Sequence, residues 1–438
     1  MPSLAPDHTR FLRMVSFWLT IILFVKLGGF FTWSNNIAIT RVIKVISRIA
    51  MTGSIWYLYR SIIGRGAIAS FGWQHSLSPL LYGAYLLLGF ISILWSTDPG
   101  YSGLQWFMDF EALVFCYYFI ACFILIDYFF AGSAVKMYHV IGNAVMMMIA
   151  IFLVGMYVDP DTFYRLTHGG EEARLGGFIM NPNELGMLCA VGVSCFIFNF
   201  YRKHRVVWTA VKIGLLLWAI VLTGSRSSTI GCLLIAFFHI RQSSNTRLKI
   251  LMYAGALLAI PVAVNTLLIK EHGGGLDEVM SMTGRLPFWQ ALLTEGLPKA
   301  PFFGFGFMRI ANTDYFQGEH IFTYAAKMTH NTFIQVLMNL GFVGFAIVVF
   351  QLVFTIRGFM QVAEREKSLI CVGVLIPIMI NSFTEFGIFG ETNYGILFYQ
   401  LLIFYISLSI NPRLTPREKL FLFRRRPELK SERAGRVA

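Results

Sequence analysis

Apolar residues in this chain run in long blocks rather than alternating or tracing one helical stripe. Blocks of about 20 residues match the length a helix needs to span a bilayer core of roughly 30 Å, and they recur from one end of the sequence to the other. They fall near residues 14–33, 42–62, 77–95, 105–130, 138–158, 184–201, 206–224, 227–240, 250–269, 331–355, 369–386 and 393–410. A hydrocarbon environment demands that each backbone polar group be satisfied inside its own segment, so such blocks predict helices. The pattern therefore predicts an all-α integral membrane protein with about 12 transmembrane helices and a large loop, 270–330, between the ninth and tenth. The second block is the weakest, because Arg41, Lys44, Arg48 and Arg60 make it partly interfacial. The eighth is short.

Composition agrees with that class: 56% of the 438 residues are hydrophobic and 13% charged, against roughly 25% charged in ordinary soluble proteins. No separate soluble domain is visible. Residues 1–410 read as one polytopic membrane domain, and 411–438 as a basic cytoplasmic tail. The opening MPSLAPDHTR leads into an apolar block without a small-residue cleavage site, which predicts a retained first helix rather than a removed signal peptide. All six cysteines fall inside apolar blocks and read as packing residues, not as disulfides or metal ligands.

The formal charge of +13 raises the question of nucleic acid, and its distribution answers against it. Basic residues gather in short loops and the tail: Arg202, Lys203 and Arg205; Arg241, Arg247 and Lys249; Arg357, Arg365 and Lys367; and Arg424 to Arg426 with Lys430, Arg433 and Arg436. If the twelve blocks alternate across the membrane, these clusters share one side. The positive-inside rule makes that side the cytoplasm, with both termini there and lipid headgroups as the partner of the basic groups.

The opposite face then receives 95–103, 159–183, the turn 224–226 and the loop 270–330. These carry the unusual polar residues: Arg174, Asn181 and Asn183 in EEARLGGFIMNPNELG; Arg226 in LTGSRSS; Arg285 in MTGRLPFW; and His330 with Asn331 in KMTHNTF. Each has a structural reading. Asn183 or Asn181 suits a helix N-cap, with Pro182 in the first turn. Arg226 could snorkel to the interface, although arginine is disfavoured at an outer helix end. Arg174 and Arg285 could pair with Glu171, Glu172 or Asp277. Taken together, however, guanidinium groups on one face offer the planar donor fork that phosphate oxygens match. Several arginines at the outer leaflet suit a membrane-anchored diphosphate, that is, a polyprenyl-diphosphate substrate. Helix starts near 184, 227 and 331 would add oriented N–H groups.

His330 stands at the start of the tenth block. A helix dipole and nearby arginines both oppose its protonation. An uncharged imidazole can accept a proton, which makes His330 a candidate general base for an attacking hydroxyl while the arginines stabilise the departing diphosphate. A capping or core role is the structural alternative for a lone histidine.

WSTDPGYSG, RLGGFIMNPNELG, TGSRSS, TGRLPFW followed by FFGFGF, and THNTFIQVLMNLGFVG, in that order over roughly residues 77–356, resemble the O-antigen ligase and polymerase superfamily of bacterial envelope glycosyltransferases. The resemblance implies a twelve-helix inner-membrane protein with a large periplasmic loop, 270–330, and an active site facing the periplasm. It implies transfer of a glycan from undecaprenyl diphosphate to an acceptor hydroxyl, without a metal or other cofactor. By that similarity His330 is the base, Arg174 and Arg226 bind the diphosphate, and Arg285 matches a periplasmic-loop arginine. Asn181, Asn183 and Asn331 support the site. Inversion at the anomeric carbon follows from a single displacement, no carboxylate being placed by the sequence as a nucleophile. The implied partners are the lipid-linked glycan donor, a glycan or lipid A core acceptor, membrane lipids and a chain-length regulator protein. The TGR…W…GFGF loop resembles the polymerase branch, with ligation onto lipid A core as the alternative.

Asp109 and Glu111 depart from this picture, since an acidic pair near the outer end of the fourth block would repel a diphosphate unless it paired with Arg174 or Arg226. Salt-bridge and acceptor-binding roles are both open for them. The aromatic residues of 270–330, Phe288, Trp289 and Phe302 among them, suit either interfacial anchoring or sugar stacking. A lipid-linked sugar flippase would also need many helices and a cationic cavity. It should carry ionisable groups near the midplane and internal repeats, and the strongest polar residues here sit at the outer ends.

Overall fold

The computed structural model describes residues 6–63, 71–130, 135–167, 172–201, 206–242, 246, 249–250, 253–254, 257, 285–307, 329–385 and 387–410. Most of the expected ninth span, most of the 270–330 loop, the 411–438 tail, Glu171 and Asp277 lie outside them. The helices are α1 (Pro6–Gly28), α2 (Ile37–Ile63), α3 (Leu77–Ile91), α4 (Pro99–Phe129), α5 (Met137–Val158), α6 (Pro182–Tyr201), α7 (Val206–Thr223) and α8 (Arg226–Gln242). After them come the short α9 (Arg285–Ala291), then α10 (Thr332–Gln361), α11 (Arg365–Thr384) and α12 (Tyr394–Ser407). Among the described residues seven helices are long and apolar enough to cross a membrane: α1, α3 with its 3-10 extension, α4, α5, α7, α10 and α11. Helices α2, α6, α8 and α12 cover expected spans but fall outside that measure. The chain is a multi-pass, mainly helical membrane protein.

Short strands qualify the all-α expectation. β2 (Tyr164–Thr167) pairs antiparallel with β3 (Glu172–Leu175), Arg165 opposite Arg174, in a segment read from sequence as loop. β1 (Phe71–Trp73) pairs with β4 (Leu408–Ile410), joining the start of α3 to the end of α12. Strands of three or four residues are too short to leave a clear period-two signal. Helix starts follow their caps. α4 begins six residues ahead of the expected 105 because Pro99 stands at its first position and Asp98 Oδ1 accepts from the Tyr101 N–H at 3.0 Å.

Helix α6 lies at the centre, packed on α5, α7, α8 and α11, while α4 packs on α2 and α12 and α3 on α10. Five of the six cysteines are buried, and all six are free thiols. One buried ionic cluster ties α1, α2 and α4. Glu111 accepts from Lys26 Nζ at 2.5 Å, from Arg48 Nε at 3.2 Å and from the Thr52 hydroxyl. Arg48 also donates to the Met108 carbonyl at 2.8 Å and lies over the Phe30 ring. Glu111 thus pairs with neither Arg174 nor Arg226, contrary to the pairing considered from the sequence, because Lys26, Arg48 and Thr52 already occupy its oxygens. Asp109 accepts instead from Thr392 Oγ1 at 2.7 Å.

Helix α10 is broken at Gly341, whose φ of 64° and ψ of −165° are open essentially to glycine alone. The FFGFGF segment fills the break. Phe305 and Gly306 donate to the carbonyls of Met338 and Asn339, and Phe342 and Val343 donate to those of Pro301 and Phe302. Four backbone groups freed by the break are thereby satisfied without water, as a membrane interior requires. The approach leaves no room for side chains: a Cβ on Gly304 would lie 2.4 Å from the Asn339 carbonyl carbon, and one on Gly341 2.3 Å from that of Phe302. Upstream, Phe288, Ala291, Leu292 and Leu297 pack on Met338 of α10. Phe307 is buried against Tyr85, while Phe302 and Phe303 are exposed. The glycine motif is therefore a docking device that fixes α9 beside α10.

Two stability predictions follow from these contacts. Gly341→Ala should lower the unfolding temperature of the detergent-purified protein, with a cost of at least about 1–3 kcal/mol for the backbone alone. Gly53→Ala, where nothing lies within 4 Å, should leave it unchanged or raised, by up to about 1 kcal/mol; equal melting of the two variants would contradict the docking role. Glu111→Gln strands two buried cations and should cost roughly 3–5 kcal/mol. Adding Lys26→Met should recover part of that loss in the same melting experiment.

Candidate active site

Glu385 follows directly on the last residue of α11 and is 3% exposed. A carboxylate out of water needs donors, and three side chains supply them. His330 Nδ1 lies 2.7 Å from Oε2, Asn183 Nδ2 donates to Oε1 at 2.7 Å, and Arg285 Nη2 reaches Oε1 at 3.2 Å. The other terminal nitrogen of Arg285 donates to the Thr384 carbonyl. Burial by itself would raise the Glu385 carboxyl; the His330 hydrogen bond and charge, with Arg285 and Asn183, outweigh it and hold the group below the usual carboxylate range.

Asn183 extends the network. Its Oδ1 accepts from Arg174 Nη2 at 3.0 Å, and Arg174 Nε donates to the Thr223 carbonyl at 2.6 Å. The β2–β3 hairpin thus presents Arg174, which is buried, to the end of α7. On the far side of the turn, α8 begins at Arg226, and Ser228 Oγ donates to the Asn183 carbonyl at 3.3 Å. Arg226 meets the network only through its own helix. Its buried Nε has no hydrogen-bond partner among the described residues.

His330 has φ 46°, one of two non-glycine residues in the left-handed region among those described. Its neighbours impose that conformation. The Thr329 carbonyl accepts from Trp289 Nε1 at 2.6 Å, and Asn331 caps α10, its Oδ1 accepting from the N–H groups of Phe333 and Ile334 at 2.9 and 3.1 Å. A carboxylate only accepts, so the Nδ1 proton points at Glu385 and the basic lone pair falls on Nε2.

Among the sequence-derived residues the structure gathers His330, Arg285, Asn183 and Arg174 around one carboxylate. Asn331 is the cap of α10, and Asn181, not Asn183, is that of α6, accepting from the Asn183 N–H at 2.9 Å. Sequence reasoning missed Glu385. The sequence offers Glu171, Glu172 and Asp277 as acidic partners for Arg174 and Arg285, with Asp109 and Glu111 also considered for Arg174, and it suggests only cations and a dipole around His330. The missed signal was an acid at the end of an apolar span, the position where an ionisable group in a membrane protein is a functional candidate.

Beside this network opens a cavity of about 800 Å³, walled by α2, α4, the start of α6 and the 385–394 turn. Glu385 and Asn181 belong to its lining, together with Arg41, Lys44, Tyr101 and Glu391. Among the described residues no three His, Cys, Asp or Glu side chains come together as a metal site would need.

No curated protein matches the chain. Residues 213–349 match the family model described as O-antigen ligase. That stretch contains Arg226, Arg285 and His330, and over it the chain is similar to the O-antigen ligase family, in keeping with the resemblance read from the motifs.

Proposed function

We propose that the protein is an inverting glycosyltransferase that moves a glycan from undecaprenyl diphosphate to an acceptor hydroxyl at the periplasmic face of the inner membrane, without a metal ion. The observation that carries this reading is the Glu385 carboxylate, which holds His330 Nδ1 on one oxygen and Arg285 on the other. His330 Nε2 takes the proton of the acceptor hydroxyl as its oxygen attacks the anomeric carbon. The bond from that carbon to the diphosphate breaks, and the diphosphate leaves with the electron pair. Glu385 stays ionised and balances the imidazolium that forms, as a carboxylate does beside a catalytic histidine elsewhere. Its two oxygens are committed to His330, Asn183 and Arg285, which suits a positioning group better than a covalent nucleophile.

Arg174, Arg226 and Arg285 are the cations for the leaving diphosphate. Arg226 is the least committed, and its unsatisfied buried Nε suits a phosphate oxygen. Sidedness rests on the distribution of basic residues in the loops, which puts this end of the bundle outside. Polymerisation of lipid-linked repeat units of an exopolysaccharide or O-antigen is the favoured acceptor reading, with a chain-length regulator as its partner. Ligation onto lipid A core is the alternative, and the family description favours keeping it. Deletion of the gene separates the two: single repeats retained on lipid A core mean polymerase, and complete unattached chains mean ligase.

Purified enzyme with lipid-linked donor should lose about 10²–10⁴-fold in rate with His330→Ala, the usual range for a general base; full transfer by that variant removes His330 from the chemistry. Glu385→Gln should cost about tenfold or more through loss of imidazole orientation. The pH profile tests the base directly. An imidazole must be uncharged to accept the proton, so transfer should fall on acidification. A rate that rises on acidification contradicts the assignment.

A further inference from the structure

Of the network around Glu385, the carboxylate itself lines the cavity of about 800 Å³ beside it, and His330, Asn183 and Arg285 do not. The cavity volume lies within the range of ligand pockets, roughly 300–1,000 Å³. Arg174, Arg226 and Arg285 are not among its lining residues. A ligand there meets a second cationic pair, Arg41 and Lys44, three positions apart and so on one face of α2. The next basic residue on that helix, Arg48, is already held by Glu111.

The opposite wall is built from fixed hydrogen-bonding groups. The Tyr101 hydroxyl donates to Glu391 Oε1 at 2.7 Å, and the Tyr101 ring faces the Arg41 guanidinium at 5.9 Å from its centroid. Gln105 Oε1 accepts from the Thr392 N–H at 3.3 Å, and Thr392 is tied in turn to Asp109. Asp98 and Glu184 add carboxylates, and Phe178 and Tyr394 add aromatic surface. A lipid tail in this space would strip water from these polar groups without replacing it. A hydroxyl-rich ring satisfies carboxylate and amide acceptors with its O–H groups and covers aromatic faces with its C–H groups.

We propose that this cavity is a saccharide subsite in which Arg41 and Lys44 select a glycan bearing an oxyanion, carried as a sugar carboxylate or a phosphate. Glu385 belongs both to the cavity lining and to the hydrogen bond that holds His330, so a saccharide hydroxyl at that end stands beside the base. The glycan is then the acceptor, and that word alone rests on the transferase reading. The saccharide site stands on the cavity.

The test uses the full-length protein in detergent micelles, with calorimetric titration of hexagalacturonate and of neutral maltohexaose. Hexagalacturonate should bind about tenfold more tightly, the advantage one hydrogen bond to a charged group supplies. The advantage should shrink as salt is raised and vanish in Arg41→Gln/Lys44→Gln, with maltohexaose affinity unchanged. Arg41 is exposed, so Arg41→Gln alone gives a folded check and should remove part of it. Displacement of hexagalacturonate by inorganic pyrophosphate supports the site with phosphate as its natural oxyanion; retention supports it with a sugar carboxylate. Absence of saccharide binding, equal affinity for the two hexasaccharides, or an advantage that survives both substitutions overturns the proposal. His330→Ala should retain the binding advantage while losing transfer. If no transfer is found in the parent protein and the advantage is present, the transferase reading falls and the subsite does not.

Discussion

A carboxylate removed from water costs several kcal/mol unless charge and donors replace its hydration, and Glu385 recruits those donors from distant parts of the chain. Asn183 comes from the first turn of α6, Arg285 from the first position of α9, and His330 from the residue before the cap of α10. None of these segments is positioned by local structure alone. Bringing the carboxylate into the interior is what obliges them to converge, and the convergence is the candidate active site. The same physics makes the site intolerant of partial assembly, since removing any one donor leaves buried charge uncompensated.

Convergence also needs a rigid route for the long loop, and the break in α10 provides it. A continuous helix would offer no backbone groups to its neighbours. By giving up its hydrogen bonds around Gly341, α10 opens donors and acceptors that the 301–307 segment takes up. That segment anchors the C-terminal side of α9, and Trp289 anchors the Thr329 carbonyl beside His330. The bonds that hold the loop to the helix therefore also bear on how Arg285 and His330 are placed around Glu385.

How much of this was legible in the sequence depended on the length scale of the signal. Long apolar runs announce helices because burial in lipid leaves them no alternative, and helices stand over the runs at 14–33, 77–95, 105–130, 138–158, 206–224, 331–355 and 369–386. The arginines and His330 stood out because cations and a lone imidazole are conspicuous between such runs. The β2–β3 hairpin was silent, each strand having four residues in a polar segment. Glu385 was silent for a different reason: its partner lies 55 residues away, and nothing local marks that pairing. The glycines of FFGFGF and Gly341 were visible, but each explains the other only once the two backbones are seen to touch.

The fate of each cation follows from how completely its donors are used. Lys26 and Arg48 are almost wholly removed from solvent and share one carboxylate between α1, α2 and α4; their charge is spent on holding helices together. Arg174 and Arg285 occupy a middle state, with donors bound to backbone carbonyls at helix ends and to the Asn183–Glu385 network. That fixes their planes while leaving their positive charge at the edge of the site. Arg226, at the start of α8, has a buried Nε unmet by any described group, as Arg48 has a buried Nη1, but unlike Arg48 it makes no ion pair among the described residues. A buried guanidinium nitrogen without a protein partner calls for water or an anion to complete it, and the planar fork of arginine matches carboxylate and phosphate oxygens. The cations thus range from Lys26, whose ammonium is spent on Glu111, to Arg226, whose buried Nε meets no described partner, within one set of helices.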